Sequence, residues 1–148
     1  MSKKFFWLVS RTVFGLYKRF PIFGDLRASV GIIEHRGRYL VIRRNDGRGL
    51  SFPGGFSNPF EPELMTLVRE IREETGFIAE RCDFLFRYRC DVDVPCMISV
   101  FRAEAHGVLR SSWEGSPQWV DLAHLEHGVA RSQRLIVERL ISQSAPIS

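Results

Sequence analysis

The segment Pro62 to Gly76 constrains this chain more than any other, because it reads as a helix whose two faces make incompatible demands. Pro62 suits a first helical turn, Glu61 lies near its positive end, and Gly76 is a C-terminal stop after Thr75. On a wheel of about 100° per residue, Leu64, Leu67, Val68 and Ile71 gather on one face, while Glu70, Glu73 and Glu74 gather about a third of a turn away. Three carboxylates at i, i+3 and i+4 repel one another. Two reliefs are open: a hard divalent cation held by oxygen ligands, or a solvated face eased by the i, i+4 pair Arg69–Glu73.

The approach to this helix favours the cation. Gly54-Gly55 places a loop without side chains just before it, where backbone can come close to a metal or a phosphate. From Gly55 the chain runs five residues to Glu61 and seven more to Arg69-Glu70-Ile71-Arg72-Glu73-Glu74-Thr75-Gly76-Phe77. This resembles the complete Nudix box, G-x5-E-x7-R-E-U-x-E-E-x-G-U, with U a bulky apolar residue, and every fixed position is matched. Tyr39 to Arg44 and Ser51-Phe52-Pro53-Gly54-Gly55 resemble the strand and the approach usual in that family, although Leu50 stands where tryptophan is frequent. Gln118 to Leu122 resembles its late strand.

The resemblance implies an α/β fold, a Nudix α/β/α sandwich with a mixed sheet, preceded here by an extra N-terminal helix. It implies hydrolysis of a phosphoanhydride bond in a nucleoside diphosphate linked to another moiety, with Mg²⁺ or Mn²⁺. Glu70, Glu73 and Glu74 are then the metal ligands, joined by a carbonyl of Gly54 or Gly55, and Arg69 orients a glutamate. Glu61 supports the loop and helix start. Glu114, in Glu114-Gly115-Ser116-Pro117, resembles a late-loop carboxylate that binds metal or acts as base in some members; an exposed turn glutamate is its plain alternative. Arg43 and Arg44 are candidate phosphate clamps, since guanidinium presents paired donors. Strand alternation turns only one of them inward. A nucleotide-sensing module of the same fold that does not cleave is the rival reading, and the intact glutamates count against it.

Elsewhere the pattern predicts a helix from Lys3 to Phe20, ended by Pro21. Phe6, Trp7 and Phe14 widen its apolar surface, so it packs on its own domain, on a second copy as a homodimer, or on a bilayer surface, in that order. Residues 1–24 are thus a helical extension and 25–148 the hydrolase domain. Ala28 to Glu34 and Tyr39 to Arg43 read as a hairpin turning at His35–Arg38, and Asn45 to Gly49 as a loop. Strands follow at 82–91, 97–105 and 118–120, with a last helix at 131–141.

At 148 residues the chain predicts one domain. It has no 18-residue apolar run to cross a membrane, and Arg11 cuts short the apolar start that imitates a signal peptide. Cys82, Cys90 and Cys96 contain no C-x-x-C pair, which fits reduced thiols in a cytoplasmic protein. A net charge of +4 suits anionic partners. The arginines are scattered and form no nucleic-acid stripe, so DNA binding is not expected; a small nucleotide partner is what the Nudix resemblance implies.

Overall fold

A computed structural model describes residues 26–144; the expected helix at 3–20 lies outside them. Strand β1 (Leu26–Ile32) runs between two partners, antiparallel to β5 (Gly54–Phe56) and parallel to β7 (Cys96–Gly107), which pairs in turn with β6 (Phe77–Cys90). These strands form a mixed sheet of order β5-β1-β7-β6. A second sheet is antiparallel: β3 (Arg38–Arg44) pairs with β2 (Glu34–His35), β4 (Leu50–Ser51) and β8 (Gly115–Val120).

The expected long hairpin is therefore corrected. Both edges of β1 are taken by β5 and β7, so only Glu34-His35 is left to pair with Arg38-Tyr39, and the chain passes between sheets at Ile33. The single mixed sheet becomes two sheets for the same reason.

Helix α1 (Glu63–Thr75) covers one side of the sheets, where Leu67 and Ile71 pack with Ile33, Leu40, Phe77, Phe101 and Ala103. On the other side, Leu125 of α2 (Leu122–Gly128) and Ile136, Val137 and Leu140 of α3 (Arg134–Ser144) meet Val30, Val41, Phe52, Ile98 and Val100. Leu40 and Val41, adjacent on β3, enter opposite clusters, as strand alternation requires. The result is the expected α/β/α sandwich. Gly31 allows its inner layer to close: a Cβ there would stand 2.9 Å from Leu67 Cδ1.

Helix α1 is rotated from the sequence reading. Thr66, Leu67, Glu70, Ile71, Glu74 and Thr75 are buried, whereas Leu64 is exposed and Val68 half-buried. The buried Thr66 hydroxyl donates to Glu61 Oε2 and shares a hydrogen bond with the Ser57 hydroxyl, which makes a polar residue acceptable on that face. Helix α2 was not expected; Asp121 caps it by accepting from His124 N at 2.9 Å. The last helix begins as a 3-10 turn, Arg131–Gln133. Among the described residues no helix is long and apolar enough to cross a membrane.

Ile71 is fully buried between α1 and the sheets. Ile71→Ala is expected to lower unfolding free energy by about 2–5 kcal/mol, read as a fall in urea midpoint at unchanged slope.

Candidate active site

The buried face of α1 carries two of the three glutamates expected to bind metal, Glu70, Glu73 and Glu74. Glu70 is 8% exposed and Glu74 5%, while the Glu73 side chain is 59% exposed. Both buried carboxylates lie against strand β5, because β1 holds Gly54 and Gly55 in register with Val30 and Ser29. A Cβ on Gly55 would lie 2.6 Å from Glu70 Oε1, so the glycine makes room for that carboxylate. Gly54 N–H donates to Glu74 Oε2 at 2.9 Å.

A third carboxylate arrives from the turn before β8. Glu114 shares a side-chain hydrogen bond with Glu74. One proton must lie between two such groups, and the environment keeps it there: burial foremost, then the bond to Glu114, push the Glu74 carboxyl well above the ordinary carboxylate range, against the opposing Gly54 N–H. Glu70 is also shifted upward, by burial first, with Arg69 opposing and Glu114 and Glu73 adding repulsion. The Glu114 turn is tied to the end of β3, since Asn45 N–H donates to Glu114 O at 2.9 Å and Asn45 Nδ2 to Trp113 O at 3.0 Å.

Arg69 stands at the outer edge of the acidic group. Its Nε and Nη2 grip Glu61 at 2.9 and 3.0 Å, its Nη1 donates to Glu70 at 2.7 Å and Glu73 at 3.2 Å, and Nη2 also reaches Phe56 O at 3.1 Å. Glu61 additionally accepts from Asn58 N–H and the Thr66 hydroxyl; Arg69 first, then Asn58, lower its carboxyl to about 2. Glu61 thus fastens the loop to the helix. An open groove of about 580 Å³ runs past Glu61, Arg69, Arg72 and Glu73.

Alternation on β3 separates the two candidate arginines. Arg44 shares a face with Ile42 and Leu40, hence with α1; Arg43 shares the other with Val41. The register sets Arg44 opposite Gly115, beside Glu114, and its hydrogen bond to Asp46 first, with the charges of Glu114 and Glu74 adding, holds its guanidinium protonated. The fold therefore brings Glu70, Glu74, Glu114, Gly54, Gly55 and Arg44 to one place. Glu73 lies on its solvent rim beside Arg69, and Arg43 on the far face.

No three His, Cys, Asp or Glu groups among the described residues form a ready metal cage. The helix carboxylates are balanced here by Arg69 and by the proton on Glu74. The donor set is nonetheless entirely oxygen, anionic and set beside the half-buried backbone of Gly54-Gly55, which is the chemistry a hard divalent cation selects.

Residues 25–140 match the family model described as NUDIX domain. The chain belongs to the NUDIX domain family. YtkD of Bacillus subtilis (strain 168), named as a candidate 8-oxo-dGTP diphosphatase, is 31% identical to this Nudix chain over 67 residues. That alignment spans 45% of this chain and 42% of YtkD, less than half of either. Among solved structures, the E. coli ORF135 protein superposes with a TM-score of 0.70 at 24% identity, covering 82% of this chain and 91% of that one. A MutT Nudix hydrolase from Burkholderia pseudomallei superposes with a TM-score of 0.69 at 24% identity, covering 78% and 98%. At these identities the superpositions establish a shared fold.

Asn45 and Asp46 escaped the sequence reading, which took Asn45 to Gly49 as a plain loop. The available signal was a pair of short polar residues directly after Arg43-Arg44, where a turn can hydrogen-bond back onto its own strand.

Proposed function

We propose that this protein is a Nudix pyrophosphohydrolase, dependent on Mg²⁺ or Mn²⁺, that cleaves a phosphoanhydride bond in a nucleoside diphosphate linked to another moiety. The observation that carries this reading is the pairing of buried Glu74 with half-buried Glu114, with buried Glu70 beside them, set against the Gly54-Gly55 backbone. Burying carboxylates together is costly, and a site that must receive a cation and a phosphate chain gives that arrangement a use.

In this reading Glu70, Glu73 and Glu74, with the Gly55 carbonyl, would hold the cation. When bound, it would neutralise phosphate oxygens and make coordinated water more acidic. Arg69 fixes the Glu70 and Glu73 carboxylates through Nη1, and its grip on Glu61 keeps that donor in place. Arg44 binds a phosphate oxygen of the substrate. As water adds to phosphorus and the bridging P–O bond breaks, Glu114 accepts the water proton and the leaving phosphate departs with the bond electrons. Glu114 suits that role because its turn is fixed by Asn45 and its carboxylate borders the buried glutamates.

The test is a panel of nucleotide sugars, dinucleoside polyphosphates, capped RNA and modified nucleoside triphosphates, including 8-oxo-dGTP in view of the name that YtkD carries. Turnover of at least one compound, abolished by EDTA and restored by Mg²⁺ or Mn²⁺, is the expected result. Nucleotide binding without turnover of any compound contradicts the hydrolase and favours a sensing module.

A further inference from the structure

We propose that Asp46 is a positioning residue that holds Arg44 with its Nη1 edge directed to a substrate phosphate and away from the glutamates; this rests on the hydrolase reading above. Asp46 Oδ1 accepts from Arg44 Nε at 3.0 Å and Oδ2 from Nη2 at 2.6 Å, a two-pronged grip on one edge of the guanidinium. Nη1, the remaining nitrogen, has no hydrogen-bond partner among the described residues. Asp46 is itself held: its Oδ1 accepts from Arg48 N–H at 3.0 Å, and the Arg48 side chain continues to Asp93 at 3.4 Å, joining this turn to the one between β6 and β7.

The reason for an acid at this point is electrostatic. Arg44 lies in the field of Glu74 and Glu114. A long cation without a tether would fold onto those carboxylates, neutralise them and become unavailable to an anion. Asp46 competes with them for the guanidinium by holding its Nε and Nη2 edge. Asn45, the residue between them, ties the same turn to the backbone of Glu114 and Trp113. One short turn thus sets both the cation for the phosphate and the carboxylate for the water proton.

The experiment is a double-mutant cycle on Arg44→Ala and Asp46→Ala, with Asp46→Asn as a variant that preserves the turn. With the best substrate of the panel, Asp46→Ala and Asp46→Asn are expected to raise KM about 10-fold with kcat within about two-fold of wild type. In the Arg44→Ala background the same changes should add nothing, because Asp46 acts only through Arg44. An unchanged KM in Asp46→Asn, or effects that add in the double variant, overturns the proposal. If Asp46→Ala melts early, Asp46→Asn carries the comparison. Should wild type turn over no compound, the hydrolase reading fails by itself; calorimetric binding of inorganic pyrophosphate to the same proteins then decides. A Kd weakened about 10-fold only while Arg44 is present supports the inference, and equal Kd values refute it.

Discussion

Glu74→Gln is expected to lower kcat by at least about 10²-fold on any compound the wild-type protein hydrolyses, with the fold intact. Glutamine fills the same space. Its amide oxygen still accepts from Gly54 N–H, and its amide NH₂ donates to Glu114, so the bonds of the protonated glutamic acid are reproduced. What disappears is the capacity to become an anion.

Stability without metal separates the two states of this side chain. The Glu74 carboxyl is raised from 4.5 in the folded protein, mainly by burial, so the folded state holds its proton more tightly than the unfolded chain does. Its contribution is complete below the unfolded value and is lost as pH climbs through the folded one. In EDTA, the wild-type Tm should therefore fall as pH rises above about 5, and Glu74→Gln should flatten that decline. Glu61, lowered to about 2, works oppositely, supporting the fold above 4.5 and withdrawing support as acid protonates it. Melting curves across pH resolve the two.

Gly54→Ala is expected to cost about 3 kcal/mol or more of folding stability and most of the activity, seen together as a lower urea midpoint and a lower kcat at saturating metal. The new Cβ would stand 2.2 Å from Ser29 O and 2.8 Å from Val30 Cα. Both atoms are backbone of β1, pinned between β5 and β7, so no rotamer change relieves the clash. Relief requires opening the β1–β5 ladder, which draws Gly54 N–H away from Glu74. Gly37→Ala, in the turn between β2 and β3, is the control: its φ of 74° disfavours a side chain, but nothing lies within 4 Å of the added atom. It should cost only about 1 kcal/mol and leave hydrolysis unchanged.

The helix was legible because its ends and its repeat are local. Pro62 and Gly76 mark its limits, and Gly76 sits at φ 79° as a left-handed cap. Its rotation was not legible, because the wheel weighs Leu64 above Thr66. The fold reverses them by giving Thr66 polar partners at Ser57 and Glu61 and leaving Leu64 outside. The long strands were visible in outline, but their partners depend on distant segments: nothing near Ile33 says that β1 has both edges occupied. At the site, the Gly55–Phe77 pattern singled out Glu70, Glu73 and Glu74 as a group. Only the packing divides them into a buried pair and a solvent-facing third, and only the β3–β8 register prefers Arg44 to Arg43. Asp46 grips Arg44 two residues away, a contact the short polar pair after Arg43-Arg44 allows, whereas Asn45 acts across the sheet end on Trp113 and Glu114, which no local pattern records.

The central claim is that the acidic side of α1, now balanced by a proton and by Arg69, receives a divalent cation. Titration calorimetry of Mn²⁺ at neutral pH, repeated in buffers of different ionisation enthalpy, measures cation affinity and proton release together. Displacing the proton from Glu74 should release up to about one proton per bound ion in the wild type, and Glu74→Gln should show weaker binding with that release gone. Equal affinity and equal proton release in the two proteins would contradict the account.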